Sequence, residues 1–339
     1  MKRKISILLT AAAACSLMAG CPVLAEEAEQ ITQVSYPVTV TDQLGREVTI
    51  EEKPETLVSG YYISTSLLIA LDQEDNLVGV EAKADKRAIY QLAAPELTKL
   101  PSVGTAKEFD LEGCAALEPD LVILPAKLKD TIPTLEELGM TVLAVKPENQ
   151  KLLEEAVVLL GTATDTMEQA EELLSFYDTQ EAVLEDALKD VEKPVVYLGG
   201  NSALLSTAGP AMYQNSQIVN AGGVNAAEEL TDDYWAEISY EQLLTWNPEY
   251  IILAADAEYT AEDVLEDENL ADCTAVQNGQ VYQMPGSIEA WDSPVPGSVL
   301  GSLWMASVLH PREYPAEQWQ QAVTEFYETF YKFTPEMAS

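Results

Sequence analysis

One eighteen-residue pattern occurs twice in this chain. Residues 109–126 read FDLEGCAALEPDLVILPA and residues 238–255 read ISYEQLLTWNPEYIILAA. In each copy a glutamate, Glu112 or Glu241, stands seven residues before a proline, Pro119 or Pro248. An acidic residue and then an apolar run follow each proline. The unit reads as a short helix, a proline-marked turn that the helix cannot cross, and a buried strand. Two copies in one register, 129 residues apart, predict two lobes of the same design. A length of 339 residues leaves room for both.

The rest of the chain fits that plan. Residues 38–40 and 48–50 alternate around Asp42-Gln43-Leu44-Gly45, which reads as a hairpin. After Pro54, short apolar runs at 77–80, 121–124 and 142–145 are separated by helical stretches. Such alternation predicts an α/β fold in which each lobe is a mostly parallel sheet flanked by helices. The first lobe is expected over 37–164 and the second over 193–339. Between them Asp165 and Glu168 suggest a capping box, and Ala170, Leu173, Leu174, Tyr177, Leu184, Leu188 and Val191 keep helical spacing. One helix over 165–192, about 26 residues and roughly 39 Å long, would join the lobes as a stiff strut. The second lobe is expected to end on an amphipathic helix from Pro315 to Lys332, with Trp319, Val323, Phe326 and Phe330 on one face.

Charge narrows the function. The chain holds 57 acidic and 18 basic residues, a formal charge of −39. That surface repels phosphate backbones and anionic lipid headgroups, so nucleic-acid binding is excluded as a main role. His310 is the one histidine, which argues against a His-ligated metal site. Lys2-Arg3-Lys4 precedes an uncharged run over 5–18, the pattern of an export signal and too short to span a bilayer. Two cleavage readings stand side by side. Leu17-Met18-Ala19-Gly20-Cys21 resembles a lipobox in which Cys21 is lipidated, whereas Val23-Leu24-Ala25 suits ordinary cleavage before Glu26. The signal thus covers 1–25 and an acidic tether follows over 26–36. The protein is expected outside the cytoplasmic membrane, in the periplasm or on the membrane's outer face, lipid-anchored in the first case. Cys114 and Cys273 lie far apart and read as two separately buried thiols.

Taken in order, these pieces resemble the class III periplasmic binding proteins that serve ABC importers for iron–siderophore complexes, heme and cobalamin. VTDQLGREVTI is similar to that family's opening hairpin. VGTAKEFDLEGCAALEPDLVIL and YWAEISYEQLLTWNPEYIIL resemble the hallmarks of its two lobes. WDSPVPGSVLGSLWMASVLHPREY with EFYETFYKF is similar to the tails of bacterial iron-complex binders. The resemblance implies two Rossmann-like lobes joined by a rigid helix, with a ligand held in the cleft between them and a small closing motion. It implies a monomer without a resident cofactor, working with a permease homodimer and its cytoplasmic ATPase subunits. Glu112 and Glu241 match the glutamates that pair with permease arginines in that family. The bare sequence agrees, because a two-fold permease needs one equivalent anchor per lobe. The alternative is that both merely offset the dipole of a helix's first turn, worth about 0.3–1 kcal/mol.

Ligand sites in open α/β sheets lie beyond the carboxyl ends of strands. In the first lobe that selects Tyr61 and Tyr62, then Lys83, Lys86, Arg87 and Tyr90. This basic cluster suits an anionic group. In the second lobe Trp235 and Trp291 offer flat faces and match cleft positions of the family. Gly199-Gly200 would let an anion approach the backbone, and Met212 and Tyr213 are further cleft candidates. Corrinoid binders of the family tend to carry an aromatic six residues before the first-lobe glutamate, where this chain has Ala106. No nucleophile motif, phosphate loop or dinucleotide fingerprint supports an enzyme. The expected function is capture and delivery of a small-molecule metal complex, foremost an iron–siderophore complex. Heme, a corrinoid or a molybdate or tungstate oxyanion stay open as ligands.

Overall fold

The computed structural model describes residues 33–231 and 234–336. The leader, Cys21 and most of the tether lie outside them. The hairpin is formed by β1 (Val38–Thr41) and β2 (Glu47–Ile50), paired antiparallel. Gly45 turns the chain with φ +78°, and the Asp42 carboxylate accepts the amides of Leu44 and Arg46.

The first-lobe sheet is built from β3 (Leu57–Ser59), β4 (Leu77–Val80), β5 (Leu121–Pro125) and β6 (Thr141–Val145), in the order β4-β3-β5-β6, all parallel. The second-lobe sheet holds β7 (Val195–Gly199), β8 (Ser206–Thr207), β9 (Val224–Asn225), β10 (Ala236–Glu237), β11 (Tyr250–Leu253) and β12 (Val281–Gln283). Its order is β10-β8-β7-β11-β12, with β9 also on β7, parallel except where β8 pairs with β7 and β10. Both repeats therefore end in a strand, β5 or β11, with a neighbour on each side.

The repeat holds down to single atoms. Glu118 and Asn247, each just before the proline, both take a left-handed conformation, with φ +48° and +44°. The acidic residue after each proline ties down the start of the adjacent strand. Asp120 accepts from the amides of Glu55 and Thr56 at 2.9 Å, ahead of β3, and Glu249 accepts from the Val195 amide that opens β7 at 3.0 Å.

Alternation along the central strands divides the core, because successive side chains leave opposite faces of a sheet. Leu121 and Ile123 face one way with Val196, Leu198 and Ile252, and join one continuous apolar cluster that runs from the hairpin to Tyr331. Val122 and Leu124 face a second cluster, and Tyr197, Ile251 and Leu253 a third. The first cluster belongs to both lobes, so their inner layers form one packed body.

The linking helix is shorter than the sequence suggests. It runs over Met167–Ala187, 21 residues, and a separate helix Gln150–Thr164 precedes it. The expected capping box is absent: Thr166 is the N-cap, with no side-chain cap bond. Asp165 sits in a left-handed turn at φ +58°, where its carboxylate accepts from the Val34 amide and pairs with Lys53. The terminal helix spans Ala316–Phe330, with Val323, Phe326 and Phe330 buried and Trp319 packed at the edge of the core. Cys114 and Cys273 are buried and unpaired. His310 is buried with Nε2 3.2 Å from the Gly222 carbonyl oxygen, a packing role. Among the described residues no helix is long and apolar enough to cross a membrane.

Candidate ligand-binding cleft

Where β3 ends, Ser59 and Gly60 turn the chain into the helix Tyr62–Ala70, with Tyr61 as its N-cap. A Cβ at Gly60 would meet Leu124 Cδ2 at 2.8 Å, so a larger residue would have to push that side chain aside. The Ser59 and Ser64 hydroxyls donate to the Tyr61 carbonyl oxygen and hold the turn. The Tyr61 and Tyr62 rings then meet edge to face, 5.2 Å between centroids.

Glu81 follows directly after β4 and is 5% exposed. Its carboxylate gathers three donors from three places. Thr65 Oγ1 reaches it at 2.7 Å, Tyr90 Oη at 2.9 Å and Arg87 Nε at 2.9 Å. The Arg87 guanidinium lies over the Tyr62 ring, 4.3 Å from its centroid, and 5.9 Å from that of Tyr90. Among the described residues neither terminal nitrogen of Arg87 has a hydrogen-bond partner, and the side chain is 32% exposed.

The second lobe closes on this surface. The Tyr62 hydroxyl lies beside Ser293 and in the fields of Asp292 and Asp256. Tyr234, 62% exposed, donates to Glu148 Oε1 at 3.4 Å, and Lys146 pairs with the same carboxylate at 3.2 Å. Burial, then the neighbouring Tyr62 and Glu148, lift the Tyr61 phenol well above its ordinary range, and burial lifts Tyr62. Both phenols are thus hydrogen-bond donors at neutral pH. Burial, then Asp256, pushes Asp292 up to about 6. The first-lobe wall is cationic and aromatic, and the second-lobe wall is acidic.

The residues singled out from sequence do not all meet here. Tyr61, Tyr62 and Arg87 do. Lys86 pairs with Asp85 on the exposed side of its turn at 3.3 Å. Lys83 is exposed in a left-handed conformation, φ +70°. Tyr90 is wholly buried and stands beneath Arg87 instead of at the surface. Trp235 packs on the Gly200 backbone, where a Cβ would lie 3.0 Å from its ring, and a Gly199 Cβ would meet the Tyr259 hydroxyl at 2.7 Å. The two glycines admit side chains of this protein, which accounts for them without an anion. Trp291 is buried, its Nε1 donating to Tyr327 Oη at 2.9 Å. Tyr213 is buried with its hydroxyl on Ser298, and Met212 caps that helix. Tyr234, a loop aromatic beside Trp235, was visible in the sequence, whereas Glu81, Glu148 and Ser293 were missed. Glu81 stands directly past a strand end, so the strand-end rule could have found it.

Glu112 and Glu241 hold equivalent places. Each is exposed in the first turn of a short helix, Leu111–Ala116 capped by Asp110 and Tyr240–Trp246 capped by Ser239. Among the described residues no three His, Cys, Asp or Glu side chains converge on a metal position. A recess of about 800 Å³ lies elsewhere, along the linking helix, lined by Asp178, Val183, Asp186, Glu313 and Gln318. It offers no cation and no aromatic side chain.

A two-lobed α/β molecule with one long connecting helix and a polar cleft between lobes is the architecture of a solute-binding protein. Residues 57–288 match the family model described as periplasmic binding protein, and the chain belongs to that family, as a class III member serving ABC importers. Family members bind solutes for a transporter and are not enzymes, and the family is exported. Relatives include the molybdate-binding protein MolA of Haemophilus influenzae, 26% identical over 86% of this chain and 90% of that one. A cobalamin-binding protein of Halobacterium salinarum is 25% identical over 84% of this chain and 78% of that one. A periplasmic solute-binding protein of Veillonella parvula superposes with a TM-score of 0.76 at 28% identity, covering 88% of this chain and 94% of that structure.

Proposed function

We propose that this binding protein captures an anionic metal complex of the ferric siderophore class and delivers it to its permease. The observation that carries this reading is Arg87, with Nε engaged by Glu81, its guanidinium over the Tyr62 ring and, among the described residues, no hydrogen-bond partner on its two terminal nitrogens. A guanidinium fixed in this way presents a planar fork to catecholate or carboxylate oxygens. In a chain of charge −39 it is also a local attractor for an anion. Tyr61, Tyr62 and Tyr234 supply hydroxyls and ring faces.

A second reading is a compact oxyanion. Contacts already join the lobes at Tyr62 with Ser293 and Tyr234 with Glu148, which suits a small ligand, and a relative is named for molybdate. Tryptophan fluorescence titrations with ferric enterobactin, hemin, cobalamin, molybdate and tungstate, corrected for ligand absorbance, separate the cases. Saturable quenching by the ferric complex, lost in Arg87→Ala, is expected. A response to molybdate or tungstate alone would replace the first reading with the second, and a response to hemin or cobalamin alone would overturn both.

Delivery is assigned to Glu112 and Glu241 as paired contacts for permease arginines. Charge reversal of either, Glu112→Lys or Glu241→Lys, is expected to abolish uptake while leaving ligand affinity unchanged. Unimpaired uptake in the double variant would refute the assignment. Lobes over 37–164 and 193–339 complete the proposed organisation, with lipidation at Cys21 or ordinary cleavage before Glu26 as the two forms of the mature N-terminus. Mass spectrometry of the mature N-terminus tests the anchor.

A further inference from the structure

The geometry points to Glu81 as the residue that positions the Arg87 guanidinium for ligand capture, an inference that rests on the reading of Arg87 as the anion anchor. Glu81 touches no ligand surface. Its carboxylate lies beneath the cleft wall and joins the end of β4 to the first helix through Thr65, to the next helix through Tyr90, and to Arg87. An arginine side chain has several rotatable bonds, and without a partner on Nε its head would sweep a wide volume. The bond from Nε to Glu81 Oε1 removes that freedom at one edge of the guanidinium and leaves the opposite edge for an anion. The Tyr62 ring beneath, 4.3 Å away, sets the plane. Tyr90 steadies Glu81 in turn, because its hydroxyl donates to the same carboxylate oxygen that Arg87 uses.

Positioning and simple electrostatics make opposite claims. A buried carboxylate beside the anchor repels an incoming anion, so removing its charge ought to tighten binding if charge were all that mattered. If Glu81 instead holds the fork in place, removing the charge weakens binding although the net field becomes more favourable.

The test uses full-length mature protein with ferric enterobactin and, in parallel, molybdate as probes. Glu81→Gln keeps the shape and loses the charge, whereas Glu81→Asp keeps the charge and withdraws it by one methylene. Both are expected to weaken binding of the probe that the wild type binds, by about fivefold to tenfold. Glu81→Gln is expected to add nothing further in an Arg87→Ala background. A readout without ligand accompanies this. Arginine is rare here, with Arg46, Arg87 and Arg312 past the leader, so ¹⁵N-arginine labelling gives few Nε–H signals, and Arg87→Lys assigns the relevant one. Its hydrogen exchange is expected to accelerate in Glu81→Gln by about tenfold as the charge-assisted bond weakens. Unchanged or tighter binding in Glu81→Gln, with Arg87→Ala weakened, would overturn the positioning role alone. Unchanged binding in Arg87→Ala would overturn the anchor reading itself. Unchanged exchange at Arg87 Nε in Glu81→Gln would show that Glu81 does not hold the group.

Discussion

Each lobe buries a glutamate, and the two solve the same electrostatic problem differently. Glu81 in the first lobe has an arginine within 2.9 Å and two hydroxyl donors. Glu289 in the second lobe is 6% exposed and has no cationic partner among the described residues. Its partners are Tyr327 Oη at 3.2 Å, Tyr331 Oη at 3.5 Å and the Gly297 amide. Burial pushes Glu289 up to about 8, against the pull of those donors. A buried carboxyl without a counter-ion keeps its proton, because the charged form would lose its hydration with too little in return. Tyr331 also reaches the Ser66 carbonyl oxygen of the first lobe at 3.2 Å. The Tyr331 hydroxyl thus lies between Glu289 Oε1 and the Ser66 carbonyl oxygen and can donate to either. One lobe thus pairs its buried carboxyl with an arginine, while the other surrounds its own with hydroxyl and amide donors and reaches the first lobe through Tyr331.

The largest expected effect breaks the first half of this comparison. Glu81→Leu leaves Arg87, Tyr90 and Thr65 without their shared acceptor and is expected to cost about 3 kcal/mol of stability in urea unfolding. Glu289→Leu strands no cation, so it is expected to cost less at every pH.

Next comes the pH dependence of the second lobe. Folded Glu289 holds its proton to about pH 8, whereas the unfolded chain releases it near 4.5. Between those values the folded state binds more protons, so this group's contribution to stability falls as pH rises and is constant above about 8. Glu289→Gln is expected to remove that slope and to gain on the order of 2 kcal/mol over the wild type at pH 9, with little change at pH 4. Equal stability differences at both pH values would refute a protonated Glu289.

Tyr327→Phe sharpens the contrast. It removes the donor to Glu289 and the acceptor of Trp291 Nε1, and is expected to cost about 1 kcal/mol. Because that hydroxyl favours the ionised carboxylate, its loss should carry the upper end of the pH window still higher.

The smallest effect concerns motion. The lobes share one apolar cluster and the link from Tyr331 to Ser66. Close-packed cores do not deform continuously, so ligand binding is expected to change the radius of gyration in small-angle scattering by about 1 Å or less. A larger contraction would show that the shared cluster parts in solution.

The hairpin, the parallel strands of the first lobe and the twofold helix–proline–strand unit were legible because each rests on local periodicity and turn chemistry. Asp120 and Glu249 were visible as a pattern, but their task of tying down the neighbouring strand was not, since those partners are far away in sequence. The break at Asp165 was hidden for the same reason. An acid three residues before a glutamate reads as a cap until Val34 and Lys53 claim it. Trp235 and Trp291 look alike as loop aromatics, yet one covers the Gly200 backbone and the other is buried with its Nε1 on Tyr327 of the terminal helix.

The sequence by itself determined that this is an acidic, two-lobed α/β chain with equivalent exposed glutamates, because periods, breaks and composition act over a few residues. Tertiary structure alone decided which cation of Lys83, Lys86 and Arg87 is held by a buried carboxyl, and which buried glutamate has an arginine partner and which has hydroxyl and amide donors. Those outcomes depend on through-space distance and on exclusion of water, and both arise only once strands and helices distant in the chain have packed together.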